Sequence, residues 1–139
     1  AAPTPSLSLG PRGPAVPPGA PCWLRLTLRN PGPGIAAYVA PNSRDPLLSL
    51  SVEARDDGAR TVLSRLTVRP VGTAPSAVDG IVLLGPGESL DFDADVAPGC
   101  PTAGLYRCTA RYVVGPGAPP GAFVGSVESA PVEIEVRAK

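Results

Sequence analysis

The chain contains no histidine and no methionine, and the two absences exclude several kinds of chemistry. Without histidine, no Ser-His or Cys-His catalytic arrangement can form, and the usual zinc and copper sites lose their commonest ligand. Without methionine, there is no thioether ligand for copper. We therefore expect a protein that is not an enzyme, with no catalytic residue, no metal site and no cofactor.

An excess of charge of either sign is also missing, because 12 Lys and Arg residues balance 12 Asp and Glu residues. No run of like charges forms the basic surface that nucleic acid or an anionic membrane would require. The longest apolar stretches are a few residues long, far below the roughly twenty needed to span a bilayer. We expect neither nucleic-acid binding nor membrane insertion.

Proline and glycine are abundant, with 20 and 16 residues, yet 43% of the 139 residues are hydrophobic. The apolar residues occur in alternating blocks, and Pro and Gly separate these blocks. A chain of this length suits one domain with a substantial core.

The most informative block runs from Gly104 to Val114, where apolar residues alternate with Arg107, Thr109 and Arg111. This period of two predicts a half-buried strand. Similar alternation or short apolar runs predict strands around 7–9, 22–29, 35–40, 48–54, 61–68, 88–96, 123–127 and 132–136. Asp56-Asp57-Gly58 predicts a hairpin turn, and Ile81–Leu84 predicts a short buried segment. The predicted fold is all-β, a single sandwich of about seven to nine strands.

The N-terminal segment, residues 1–21, is rich in proline and predicts an edge segment with one short strand at Leu7 and Leu9. Residues 22–139 are expected to form the sandwich. The first residues, Ala1 to Ser6, have the composition left after cleavage of a signal peptide, which favours a secreted or extracytoplasmic location, at the cell surface or in the periplasm.

Three motifs together resemble a known family: Pro86-Gly87-Glu88-Ser89, Gly104-x-Tyr106-x-Cys108-x-Ala110-x-Tyr112, and Gly125-Ser126-Val127 followed by the final alternating strand. They are similar to the C-terminal half of immunoglobulin-like or fibronectin type III-like modules of exported bacterial proteins, over roughly the last 55 residues. The resemblance implies a Greek-key sandwich. It also implies that Tyr106 is a tyrosine-corner residue, whose hydroxyl binds a backbone group of the preceding loop.

The same resemblance places Cys22 near Cys100 and so implies a disulfide between them. A Cys22–Cys108 disulfide and three free thiols remain open alternatives. If Cys22 pairs with Cys100, Cys108 is expected to be a buried and inert thiol.

Two rows of polar residues lie on strands that are consecutive in the sequence. Asp91, Asp93 and Asp95 form one row, and Arg107, Thr109 and Arg111 form the other. We expect the rows to pair as a cross-strand ladder. A calcium site at the aspartates is an alternative, although carboxylates spaced along one strand do not converge on one ion.

The leading functional prediction is a non-enzymatic protein-association module with a structural or assembly role, whose edge strands pair with a protein partner or with another copy. Two turns are candidate binding loops, namely Asn30-Pro31-Gly32-Pro33-Gly34 and Gly115-Pro116-Gly117.

The first of these loops resembles the Asn-Pro-containing inhibitory loop of chagasin-like cysteine-protease inhibitors, although the Arg-Pro-aromatic loop of that family is missing. This resemblance implies protease inhibition as the alternative function. A third function is carbohydrate binding, with Trp23, Tyr38 and Phe123 as the outward-facing aromatic residues.

Overall fold

A computed structural model describes residues 3–11, 16–39, 48–56, 58–63, 68–70, 81–118 and 120–137, with the backbone alone for residues 11 and 68–70. Over these ranges the chain forms eleven strands and one short 3-10 helix, Ala97–Gly99. The strands are β1 (Ser6–Pro11), β2 (Trp23–Arg29), β3 (Ala36–Val39), β4 (Leu48–Ala54), β5 (Arg60–Leu63), β6 (Val68–Pro70), β7 (Ile81–Leu84), β8 (Ser89–Asp95), β9 (Gly104–Val114), β10 (Gly125–Glu128) and β11 (Val132–Val136). The prediction of an all-β fold is confirmed.

The strands form three antiparallel sheets. The first sheet has the order β1-β2-β8-β6, so the predicted N-terminal strand lies at its edge. The second has the order β10-β9-β4-β5, and β11 also pairs with the long strand β9. The third is a two-stranded ribbon of β3 and β7. Of the predicted N-terminal segment, residues 1, 2 and 12–15 lie outside the described residues.

The core lies between the sheets and is filled by the alternating residues that the sequence marks as apolar. Leu24, Leu26 and Leu28 of β2 are buried, whereas Cys22 is half-buried. From the second sheet, β9 contributes its apolar series and β4 contributes Leu50 and Val52. Burial of these side chains supplies the main free energy of folding, at about 25 cal/mol per Å² of apolar surface.

The chain changes sheets where the sequence predicted one continuous strand over 61–68. β5 pairs with β4, and Gly58 between them has a φ of 72°, while β6 pairs with β8 in the other sheet. Asp57 of the predicted hairpin turn and residues 64–67 lie outside the described residues. Splitting this region adds one strand to the nine predicted, and Ile81–Leu84, which forms β7, adds another, so there are eleven strands over the described ranges. An alternation pattern identifies a half-buried strand without identifying its partner, so it could not reveal the change of sheet.

The predicted ladder between the aspartate row and the arginine row is wrong, because β8 and β9 lie in different sheets. Asp93 instead pairs with Arg25 of β2, with Nε 3.2 Å from Oδ1. Asp95 accepts hydrogen bonds from the backbone N–H groups of Cys22 and Ala97. Over the described residues, no group of three or more carboxylates or thiols is arranged to hold a metal ion.

None of the described elements is a helix of the length and hydropathy needed to cross a bilayer.

Candidate docking face

The β3–β7 ribbon is apolar on both faces. Its inner face carries the buried pairs Ala36 with Leu84 and Tyr38 with Val82. Its outer face carries Ala37 opposite Leu83 and Val39 opposite Ile81. A sheet that faces water on one side normally alternates polar with apolar residues, and this ribbon does not.

On this outer face Leu83 is exposed to solvent, whereas Ala37, Val39 and Ile81 are half-buried and Val39 packs against the core. Leu83 is 61% exposed, and Ile35, which directly precedes β3, is 75% exposed. Val124 is also exposed and follows Ala122, which forms a bridge with Ala37. The prediction that Ile81–Leu84 is a buried segment is therefore wrong for Leu83. The run has the composition of a strand covered on both faces, yet Leu83 on its outer face is open to solvent.

The outer faces of the other two sheets are different. The outward residues of β2 include Arg25, Thr27 and Arg29, and those of β9 include Arg107 and Arg111, which lie between the exposed Leu105 and Val113. The ribbon differs because its outer face has no charged residue, and an exposed apolar surface of this kind is a candidate for interaction.

The edge of β7 adds a second feature to this surface. Within the part of the chain that the structure describes, β7 pairs only with β3, so its other edge has no partner strand. The strand contains no charged residue and no proline, the residues with which proteins usually block an edge. Its backbone N–H and C=O groups are therefore suited to accept another strand.

The ribbon is held to the second sheet by aromatic residues. The hydroxyl of Tyr112 on β9 donates a hydrogen bond to the carbonyl oxygen of Val39. The ring of Phe123 lies 6.2 Å from the ring of Tyr38 and 6.2 Å from that of Tyr112, between centroids. The backbone N–H of Phe123 also donates to the carbonyl oxygen of Ala37. The open face thus belongs to a ribbon that is firmly attached to the core.

The first candidate loop, Asn30–Gly34, is organised by Asn30, whose side chain is fully buried. Its Nδ2 donates to the carbonyl oxygens of Gly34 and Leu84, each at 2.8 Å, and its Oδ1 accepts from the N–H of Gly32 at 2.9 Å.

A Cβ at Gly32 would lie 2.9 Å from Cγ of Pro3, so the close approach of the loop backbone to the Pro3 ring requires glycine. Asn30 therefore shapes the loop from inside, and Pro31, Pro33 and Gly34 form its exposed part.

The second candidate loop, Gly115-Pro116-Gly117, is exposed and lies at the same end of the molecule. β8 is antiparallel to β2 and ends beside Cys22, where the N–H of Val96 donates to the carbonyl oxygen of Cys22. β9 begins just after that point, so β2 and β9 run in the same direction. Their last residues are followed by the two candidate loops, which the fold thereby brings to one end.

The three cysteines gather at the opposite end, and all three are free thiols in this structure. Burial raises the pKa of the Cys100 thiol to about 12, and the charges of Cys22 and Asp95 act in the same direction. Burial, with added effects from Cys100 and Cys22, raises the pKa of Cys108 to about 12. The thiols therefore lie within electrostatic range of one another, and the Cys22–Cys100 disulfide stays a prediction for the oxidised protein.

Tyr106 lies near this end, at the start of β9, and its ring is buried. Its hydroxyl donates a hydrogen bond to the carbonyl oxygen of Thr102, 2.7 Å away in the preceding loop. This is the kind of contact that a tyrosine-corner residue makes.

The prediction of an outward-facing aromatic surface is wrong for two of its three residues. Tyr38 and Phe123 are buried in the core, and only Trp23 is partly exposed. A sugar-stacking surface built from these three rings is therefore not formed.

Comparisons with known proteins give no family for this chain. No protein-family model matches it, and no curated protein matches it. Three chains of solved structures do match. One belongs to a structure described as "AvmM Catalyzes Macrocyclization in Alchivemycin A Biosynthesis"; it is 15% identical, with 97% of this chain and 88% of that chain covered and a TM-score of 0.44. A similarity this distant says nothing about function.

Proposed function

We propose that the chain is a non-enzymatic protein-association module of an exported, immunoglobulin-like Greek-key type. It docks through the outer face and free edge of the β3–β7 ribbon, and the partner we propose is a second copy of the chain. The single observation that carries the proposal is that Ile81–Leu84 has the composition of a doubly covered strand while Leu83 is 61% exposed.

Charge and backbone chemistry support a second copy as the occupant. The formal net charge is zero, so two copies do not repel each other over long range. An antiparallel pair of β7 edges is symmetric, which makes the same strand both donor and acceptor in a two-fold interface. The apolar face beside the edge then covers its equivalent on the other copy.

Sedimentation or light-scattering measurements over a dilution series test this proposal. We expect a monomer–dimer equilibrium for the natural chain and a monomer for Leu83→Lys, because the substitution places a charge in the covered face. Burial of a leucine side chain contributes roughly 2 kcal/mol, so the dissociation constant should rise about thirtyfold or more.

Val62→Lys is the matched control. Val62 is also 61% exposed and also lies on a strand, but it belongs to the second sheet. It should leave the equilibrium unchanged. A natural chain that stays monomeric up to millimolar concentration, or a dimer that survives Leu83→Lys, would contradict the proposal.

Export is tested separately on the intact source cells. Protease added outside the cells should remove the protein while a cytoplasmic marker survives. Protection of the protein together with that marker would contradict the export part of the proposal and leave the docking part standing.

A second candidate function, inhibition of papain-like proteases, is favoured by the shared location of the two candidate loops. Pro31 and Pro33 are exposed on a loop that Asn30 holds rigid, and Gly115–Gly117 lies at the same end. A rigid loop loses little conformational entropy on binding. Inhibition that is lost when Pro31 and Pro33 are replaced by alanine would support this function, and no inhibition across a panel of such proteases would remove it.

A further inference from the structure

A groove crosses the outer face of the second sheet, on strands that take no part in the ribbon. It has a volume of about 310 Å³ and is lined by Ser49, Ser51, Arg60, Val62, Thr109, Arg111 and Glu128. These residues come from β4, β5, β9 and β10, which the sheet order places side by side. The groove therefore lies on a rigid four-strand platform.

The strand register arranges the groove with hydroxyl groups in the middle and one arginine at each end. Ser51 lies between Val62 of β5 and Thr109 of β9. Arg111 lies between Ser49 of β4 and Glu128 of β10 at one end, and Arg60 is opposite Glu53 beyond the other. From ordinary strand dimensions, the backbones of the two arginines are about 13 Å apart along the strands and about 10 Å across them.

Both arginines are available for a ligand. Among the described residues, neither Arg60 nor Arg111 has a carboxylate within ion-pair distance. Arg107, on the same face of β9, differs because its guanidinium is 3.8 Å from the carboxylate of Glu133. A guanidinium binds carboxylate or sulfate groups through two parallel hydrogen bonds, so an unpaired one favours an oxyanion.

The other lining residues favour a ligand that also has hydroxyl groups. Ser49, Ser51 and Thr109 each donate and accept hydrogen bonds. Glu128 is an acceptor and pairs with a ligand hydroxyl. The groove has more room than one inorganic anion fills, and pockets of 300 Å³ and above are typical of small organic ligands.

We propose that this groove binds an acidic sugar, a ring with several hydroxyl groups and a carboxylate or sulfate substituent. The arginine at one end holds the acidic group, while the arginine at the other end, the serine and threonine hydroxyls and Glu128 hold ring hydroxyls. Val62 supplies an apolar wall. The groove contains no aromatic side chain, so recognition depends on charge and hydrogen bonds rather than on ring stacking.

Calorimetric and NMR titrations of the full chain test the proposal with four probes: a uronic-acid disaccharide, a disaccharide with a sulfate ester, the matching neutral disaccharide and sodium sulfate. We expect one or both acidic disaccharides to bind and to shift the amide signals of Ser51, Thr109 and Arg111. The neutral sugar and sulfate should each bind at least tenfold more weakly. Comparing the two acidic disaccharides shows whether the groove prefers a carboxylate or a sulfate substituent.

Arg111→Gln and Arg60→Gln should each weaken binding about tenfold. Arg107→Gln is the matched control because Arg107 shares the strand and face of Arg111 but is already paired with Glu133; it should change the affinity by less than about twofold. Unchanged urea-unfolding midpoints establish that the variants are folded.

Four results would overturn the proposal. They are equal binding of the neutral sugar, equal binding of sulfate alone, binding of a polyglutamate peptide without binding of either acidic sugar, and no binding of any probe at millimolar concentration. Because the ribbon lies elsewhere, Leu83→Lys should leave sugar binding unchanged, so failure of this site and failure of the docking proposal are distinguishable.

Discussion

The hydroxyl of Tyr112 donates a hydrogen bond to the carbonyl oxygen of Val39, and the two oxygens are 2.6 Å apart. The bond joins the central strand of the second sheet to the ribbon that we propose as the docking surface. It therefore fixes the position of a face that carries few other polar contacts.

Tyr112→Phe should lower the free energy of unfolding by about 1 kcal/mol, since the partly buried carbonyl of Val39 loses its partner. Because the ribbon loses this bond to the second sheet, the backbone amides of β3 and β7 should exchange hydrogen faster in Tyr112→Phe than in the natural chain. Tyr106→Phe is the control, because it removes a similar bond at the other end of β9. Equal exchange in the ribbon for both variants would show that Tyr112 does not anchor it.

Asn30→Ala should cost about 3 kcal/mol, because it leaves the carbonyl oxygens of Gly34 and Leu84 and the N–H of Gly32 without their partner. Asn30→Asp should also destabilise, since a carboxylate cannot donate to those carbonyls. Urea denaturation measures both effects. Pro33→Ala, on the exposed part of the same loop, is expected to stay within about 0.5 kcal/mol of the natural chain. If Asn30→Ala also changed the free energy of unfolding by no more than about 0.5 kcal/mol, Asn30 would not be the residue that organises the loop.

The thiols should react at different rates in the native protein. Partial burial and the charge of Asp95 raise the pKa of Cys22, whereas fuller burial raises the pKa of Cys100 and of Cys108 to about 12. Because Cys22 is also the half-buried thiol, a thiol reagent should label it first. After mild oxidation we expect peptide mapping to find a Cys22–Cys100 disulfide and a free Cys108. A Cys22–Cys108 disulfide in the map would contradict the predicted pairing.

Alkaline pH should destabilise the reduced protein. In the unfolded chain the thiols lose their protons near their ordinary value of 9.0, whereas burial keeps Cys100 and Cys108 protonated up to about 12. Between these values the unfolded state binds fewer protons, so the free energy of unfolding is fully retained below pH 9 and falls as pH rises toward 12. Burial also raises the pKa of Tyr112 and of Tyr38, which extends the loss above pH 10.

Urea denaturation in the presence of a reductant, at several pH values from 7 to 11, measures this loss. Cys108→Ala should reduce the slope because one titrating group is gone, whatever its effect at neutral pH. An unchanged slope in this variant would show that Cys108 does not contribute.

Alternation in the sequence predicted the strands and their buried faces because burial on one side of a strand directly produces a period of two. Leu24, Leu26 and Leu28 were assigned to the core on this ground and are buried. Alternation did not predict which strands lie next to each other in a sheet. The aspartates of β8 were paired with the arginines of β9, although the chain passes from one sheet to the other between these strands.

The docking face shows the same limit in another form. Ile81–Leu84 lacks polar alternation, and the usual meaning of such a run is burial on both faces. The pattern predicts that the side chain of Leu83 is covered, but it does not identify what covers it. In the isolated chain Leu83 is exposed. The groove gave no signal in the sequence either, since its residues come from four strands and become neighbours only through sheet register.

The contacts of Phe123 with Tyr38 and Tyr112 have a practical consequence for optical work. The single tryptophan, Trp23, begins β2 at the cysteine end, far from these rings. Its fluorescence should therefore be insensitive to events at the ribbon, whereas the near-ultraviolet circular dichroism of the aromatic cluster should change when a partner shifts β3. The molecule thus carries two independent spectroscopic reporters, one at each end.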